Sequence, residues 1–428
     1  MAKSDRVVFK DLIYERTTLP NGIRVVTERL PWVRSVSIGI WLDVGSRHEQ
    51  PDENGISHFI EHMVFKGTKR RTAKQVGASL ESIGGTLNAF TSRERTCFAA
   101  RVPDEYLAEA VDVLADMTCC ATFTKGNIER EKTVVLEEIK ELDDTPADRI
   151  HDNFSETFWG MHALGRPIMG RPETVGAFTR AQLRRYWREH YRSGSTVISA
   201  AGAVSHRKLV RLIREKLDLP PGCAVPAEPA ERTRGSRVQV TTSKGLQTHL
   251  CLGFPGLSFN DPQRTAASVL SAYLGGGMSS VLFQKIREDR GLVYSVDTYQ
   301  DFYKDAGVFG AYLGTDDKKV REAFDLIMQE LRRVKRNRLP QAKLDKIKRQ
   351  IKGHLSLALE STTTRMTRMG RQELVTGDYL DIGTIRRRYD RVTAADVRDV
   401  ANRILDESAM AVSVLGPVPS TLFDDVAS

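Results

Sequence analysis

FTRAQLRRYWREHYRSGSTVISAAGAV, residues 178–204, is echoed by VTAADVRDVANRILDESAMAVSVLGPV, residues 392–418. Each reads as a turn, a helix, a strand and a glycine-containing exit. Upstream of the second stretch come strands at 238–242 and 248–254, a helix at 262–274, a glycine-rich loop with a helix, further strands, and a helix at 318–334. Upstream of the first, residues 17–27 read as two strands around an Asn21-Gly22 turn, and 35–44 alternates like a half-buried strand. A helix at 73–83 closes on Gly84-Gly85, strands follow at 86–91 and 95–102, and helices at 105–117 and 127–142. Helices around Ser155, at 180–191 and at 207–216 complete the half, with a strand at 196–201. Between the halves lie Pro220, Pro221, Pro226 and Pro229, an extended and fairly stiff linker. The chain is therefore expected to be α+β: two homologous α/β domains from an internal duplication of about 200 residues each. The expected bounds are 1–218, a linker at 219–236, and 237–428.

The composition, 28% charged and 40% hydrophobic, is that of an ordinary globular chain, and the length fits two or three domains. The net charge is +9, with basic clusters at 69–71, 332–338 and 386–388. They alternate with acids on helix-like segments and match no nucleic-acid-binding motif, so they read as solvated faces. No nucleic acid partner is expected. The first thirty residues lack an apolar signal-peptide core, and no apolar run is long enough to span a membrane. Five cysteines, Cys97, Cys119, Cys120, Cys223 and Cys251, form no C-x-x-C, and an adjacent pair makes a poor disulfide. A reduced, cytoplasmic setting without membrane contact is expected.

Chemistry concentrates in GISHFIEHMVFKGT, residues 55–68. Ile56, Phe59, Ile60, Met63 and Val64 give one apolar stripe of a helix, with Asn54 as the expected N-cap and Gly67 near its end. His58, Glu61 and His62 fall on the opposite side. Two imidazoles four residues apart point the same way and can chelate one metal ion. The pattern is H-x-x-E-H, the inverse of the H-E-x-x-H zinc motif. With nine histidines in the chain, a chance match is improbable. In the long helix at 127–142, Glu131 and Glu138 both project into the apolar stripe, seven residues apart. A buried carboxylate needs a partner or a metal. One of the two is therefore a candidate third ligand, and a buried Glu–Arg pair is the competing reading.

These residues resemble the pitrilysin/insulinase family of zinc peptidases, whose shorter members include the mitochondrial processing peptidase and bacterial relatives. The resemblance runs through His58-Phe59-Ile60-Glu61-His62 and the later E-K-T-V-V-L-E-E-I, and it covers nearly the whole chain. It implies processing-peptidase-like domains, each a mostly antiparallel sheet with helices packed on it. It implies one Zn2+ per chain, with His58, His62 and Glu138 as ligands and Glu131 as an acidic residue supporting the site. GTLNAFT, residues 85–91, resembles the family's edge strand that pairs with the substrate backbone, so Asn88, Ala89, Phe90 and Thr91 are implied substrate contacts. GGGMSSVLFQKIREDRGLVY, residues 275–294, resembles the second-domain segment whose arginine and tyrosine face the scissile peptide, here Arg287 and Tyr294. As a phosphate cradle the glycine loop fails, because Met278-Ser279-Ser280 stands where Gly-Lys-Ser/Thr is needed.

The resemblance implies a zinc metalloendopeptidase acting on peptides or unfolded polypeptides in an enclosed chamber. Glu61 is the expected general base, and Tyr294 and Arg287 the expected oxyanion stabilisers. In the long family members two such halves are fused, so this shorter chain is expected to form a homodimer with Arg287 and Tyr294 acting in trans. The rival expectations are a non-catalytic assembly subunit, which needs no zinc, and a basic nucleic-acid-binding protein, which binds in a salt-sensitive way.

Overall fold

Runs rich in valine, isoleucine and threonine form two sheets in the computed structural model, which describes residues 3–9, 12–231 and 235–426. Residues 232–234 of the expected linker lie outside the described residues. The first sheet holds β1 (Lys3–Phe9), β2 (Leu12–Thr18), β3 (Arg24–Arg29), β4 (Ser35–Leu42), β5 (Thr86–Thr91), β6 (Thr96–Pro103) and β7 (Thr196–Gly202). Its order is β1-β2-β3-β7-β4-β6-β5. The second holds β8 (Arg237–Thr242), β9 (Thr248–Pro255), β10 (Val293–Phe302), β11 (Gly307–Thr315) and β12 (Ala411–Gly416). Its order is β10-β11-β9-β12-β8.

Without β1 and β2 the two orders are the same, strand for strand. β3 runs parallel to β7, as β8 does to β12, and the other neighbours are antiparallel. The echoed stretches hold to detail. Thr179 caps the helix Arg180–His190 by accepting from the Gln182 N–H, and Thr393 caps Ala394–Ile404 by accepting from the Asp396 N–H. The exit glycines meet the first residue of the neighbouring strand. A Cβ on Gly202, at φ +130°, would lie 2.2 Å from the Ser35 carbonyl oxygen, and one on Gly416 would lie 2.5 Å from Thr248 Oγ1.

The chain divides into two units, one of Met1–Ile139, Pro167–Glu228 and Ser356–Tyr379, the other of Lys140–Arg166, Pro229–Leu355 and Leu380–Ser428. Each unit thus takes one helix from the opposite half of the sequence. Thr362–Val375 packs on β3, β4 and β7, and Pro146–Trp159 packs on β8, β9 and β12. In the first unit the other side of the sheet carries the main core, where Phe59, Leu114, Leu209 and Ile213 meet Val36, Ile38 and Ile40. In the second, Leu270, Phe324, Ile327 and Val400 meet Leu250, Leu252 and Val412.

The helix Thr362–Val375 changes the reading of β4. Alternation predicts one solvated face, yet Val36 through Leu42 are all buried. The second face is covered by Met366, Met369 and Leu374, packed with Tyr14, Val26 and Trp41. The approach is close. A Cβ on Gly370 would sit 2.2 Å from Trp41 Nε1, and one on Gly39 would sit 2.6 Å from Met366 Sδ. Trp41 Nε1 donates to Ser199 Oγ at 2.8 Å, and that hydroxyl donates to the Met366 carbonyl at 2.9 Å. Glu28, fully buried, accepts from Arg365 Nη1 at 2.9 Å, Tyr379 OH at 2.8 Å, and Arg368. Three donors on one carboxylate make this burial tolerable.

The basic cluster at 69–71 is more than a solvated face. Arg71 Nη1 pairs with buried Asp116 at 2.6 Å, and Arg70 Nη2 with Asp112 at 2.7 Å. All five cysteines are free. Among the described residues, no helix is long and apolar enough to cross a membrane.

Candidate metal centre

The helix Ile56–Val64 buries Ile56, Phe59, Ile60, Met63 and Val64 against the first core. Its start is built differently from the sequence expectation. Gly55, at φ +94°, is the N-cap, because a Cβ there would meet the Met169 carbonyl oxygen at 2.6 Å. Asn54 does not cap. Its Nδ2 donates to Pro167 O at 2.9 Å and to Glu49 Oε2 at 3.2 Å. Glu49, 2% exposed, satisfies the helix N-terminus. It accepts from the Gly55 N–H at 2.8 Å and the Ser57 N–H at 2.9 Å. Burial pushes its carboxyl up to about 7, against the pull of those two donors.

One turn on, His58, His62 and Glu138 each offer a ligand atom within 4.8 Å of the others. The rings of His58 and His62 are 4.5 Å apart, tilted by 59°. His62 Nδ1 lies 2.8 Å from Glu131 Oε1, and its Nε2 lies 3.6 Å from Glu138 Oε2. Glu131 Oε2 pairs with Lys66 Nζ at 2.8 Å. Both oxygens of Glu131 are thus occupied, and the two glutamates separate by role. Glu131, 2% exposed, orients the imidazole, and Glu138 faces the remaining nitrogen. Glu138 is not in the middle of a buried stripe as expected. Its side chain is 37% exposed and turns toward His62, while Val135 and Ile139 beside it on the helix Lys125–Asp143 take the core.

The electrostatics suit a cation. Burial, helped by the neighbouring His62, pushes His58 down to about 4, so this ring is neutral with one nitrogen lone pair available. Its Nδ1 is buried without a hydrogen-bond partner. His62 is raised. Burial opposes its charge, but the Glu131 hydrogen bond and the carboxylates of Glu138 and Glu61 outweigh it. A Glu131 carboxylate accepting from Nδ1–H leaves Nε2 unprotonated with its lone pair free, the tautomer a metal ligand needs. Two imidazoles and a carboxylate fit a zinc site with three protein ligands.

Glu61 is 9% exposed and accepts from Thr91 Oγ1 at 2.6 Å. Burial raises its pKa. Thr91 ends β5, which closes the first sheet. β5 pairs with β6 on one side, and its other edge has no strand partner among the described residues. Asn88 and Phe90 are exposed and Ala89 and Thr91 half-buried, and the Thr91–Glu61 bond ties the end of this strand to the helix that carries the two histidines. Arg287 and Tyr294 belong to the second unit. Arg287 lies on the π-helical stretch Phe283–Glu288 with its guanidinium 4.8 Å from the Phe283 ring centroid. Tyr294 lies on β10, the edge strand of its sheet, and is 59% exposed. Sequence reasoning missed Lys66, Glu49 and the Thr91 hydroxyl. Lys66 could have been found, since it stands four residues beyond His62.

Fold and centre together define a class: a duplicated α+β protein whose first copy carries an inverted H-x-x-E-H helix with a distal glutamate. Residues 24–172 match the model described as Insulinase (Peptidase family M16), and residues 177–351 match Peptidase M16 inactive domain. The chain belongs to the insulinase family. It is 41% identical to an uncharacterized zinc protease of Streptomyces coelicolor, over 96% of this chain and 92% of that protein. It is 41% identical to the uncharacterized zinc protease YmxG of Bacillus subtilis, over 95% of this chain and all of that one, 100%. It is 34% identical to the probable mitochondrial-processing peptidase subunit beta of Arabidopsis thaliana, over 94% of this chain and 78% of that protein. The fold matches that of a protease from Helicobacter pylori with a TM-score of 0.90 at 23% identity, covering 94% of this chain and 99% of that one.

Proposed function

We propose that the protein is a zinc-dependent metalloendopeptidase that hydrolyses peptides or unfolded polypeptides, with one zinc per chain held by His58, His62 and Glu138. The observation that carries this reading is the convergence of two imidazoles and a carboxylate within 4.8 Å on a face that also bears buried Glu61. When bound, zinc supplies Lewis acidity toward a water and a peptide carbonyl. Glu131 and Lys66 hold the His62 ring in its ligating tautomer. Glu61 takes the proton of the attacking water and returns it to the leaving amine, so proton count balances over the cycle. Extended substrate adds to the free edge of β5 at Asn88, Ala89, Phe90 and Thr91, where backbone hydrogen bonds give binding independent of sequence. Tyr294 and Arg287 stabilise the oxyanion. The names of the relatives support this reading, and the five free cysteines support a reducing, cytoplasmic setting.

The test pairs metal content with hydrolysis of a peptide library, with and without chelator. Glu61→Gln should keep zinc and fold and lose turnover by about 10²- to 10⁴-fold, because an amide cannot accept the proton. Near-normal turnover would place the base elsewhere. Glu138→Gln should lose metal, and full zinc occupancy in that variant would overturn the ligand set.

A further inference from the structure

Glu61 has two carboxylate oxygens, and the fold treats them differently. Oε2 accepts from Thr91 Oγ1 at 2.6 Å, the length of an O–H bond to a charged acceptor. Among the described residues this is the hydrogen bond Glu61 has. The proton has two acceptors in reach, and the Glu61 carboxylate at 2.6 Å is much the nearer of them. Thr96 Oγ1 is 3.5 Å from Thr91 Oγ1 and spends its own proton on the Val44 carbonyl at 2.9 Å. The hydroxyl is also held in place by backbone. Thr91 and Thr96 face each other across β5 and β6, and the turn between them closes through the Ser92 N–H to Arg95 O at 2.8 Å. That turn is anchored by the Ser46 N–H to Ser92 O at 3.2 Å and the Arg47 N–H to Arg93 O at 2.7 Å. Gly45 is required there, since a Cβ would sit 2.0 Å from Ser92 O.

We propose that Thr91 is the positioning residue for Glu61: its hydroxyl fixes Oε2 and thereby presents Oε1 to the attacking water. The inference rests on the peptidase reading and deepens it. The residue that orients the base is the last residue of the strand offered to substrate. A polypeptide added to β5 therefore docks on the segment that sets the carboxylate. A neutral, β-branched valine has the shape of threonine without the proton, so it keeps the strand and frees the carboxylate.

Two measurements test this. In steady-state hydrolysis, Thr91→Val should lower kcat by about 10- to 100-fold, the scale of a misplaced reacting group, with KM within about twofold and zinc content unchanged. Thr91→Ser should recover most of the loss. A Thr91→Val enzyme with near-normal kcat, or a Thr91→Ser enzyme as impaired as the valine variant, would overturn the assignment. The second measurement needs no activity: a double-mutant cycle of denaturation midpoints on metal-free protein. Thr91→Val should lower the midpoint in the Glu61 protein and leave it unmoved in Glu61→Ala. Equal shifts in both backgrounds would overturn the bond itself. Absence of hydrolysis by the unaltered protein would instead overturn the peptidase reading, leaving the cycle to decide Thr91.

Discussion

His190 ends the helix Arg180–His190 with its ring 4.2 Å from Tyr186 and 6.0 Å from His48. Burial, with His48 and Arg192 adding to it, pushes this imidazole down to about 4. The native form is neutral, while the unfolded chain takes a proton at about 6.5. Stability from this group is complete above about pH 6.5 and is lost as the pH falls toward 4, by up to about 3 kcal/mol. Urea unfolding between pH 7 and 4 should show that decline, and His190→Gln should make it shallower while His58, also held neutral by burial, keeps its share. A decline of the same depth in the variant would assign it to other groups. At the metal centre, His58, Glu61 and His62 were legible because helical spacing alone sets their shared face. Spacing also reached Glu131 and Glu138 but left their roles open. Which oxygen meets which imidazole nitrogen depends on how Lys125–Asp143 lies against Ile56–Val64, and no local pattern encodes that. Glu49 and Thr91 act across the fold and carry no periodic signal.

At the scale of elements, the helix Thr362–Val375 is where local reading and structure part. Strand β4 alternates in sequence, and alternation predicts a wet face. The wet face is absent because a segment more than 300 residues away covers it, with Gly370 pressed on the Trp41 indole. Gly370→Ala should therefore drive a methyl into that ring and cost about 1–3 kcal/mol. Gly353, on the helix Gln341–Ala358, has open space around its missing Cβ. Gly353→Ala should be neutral or stabilise by up to about 1 kcal/mol. Thermal melts of the two variants check both signs, and equal effects would mean that Trp41 tolerates the methyl. The duplication was legible, since the echoed stretches each show a turn, a helix, a strand and an exit glycine, whereas the order of strands within each sheet rests on long-range pairing that no local pattern carries. The exchange of helices was not legible either, because two copies of one pattern do not say which sheet each helix covers.

For the whole molecule, we propose a homodimer in which Arg287 and Tyr294 of one subunit serve the zinc centre of the other. Tyr294 is exposed on an edge strand of the second unit, as a residue that meets another molecule must be. Glu61→Gln and Tyr294→Phe subunits, each weakly active alone, should regain activity when co-assembled, because a mixed dimer has one site with both residues intact. Mixing that restores nothing would place the pair in cis. The helix exchange bears on how such a chain is made. A ribosome delivers the first sheet long before residue 375. Until then Tyr14, Val26 and Trp41 face water, and the first half is an unfinished sheet with a sticky side. The nascent polypeptide stays vulnerable to aggregation and to chaperone capture until late in translation. A protein cut at the linker should yield an insoluble half rather than an autonomous domain.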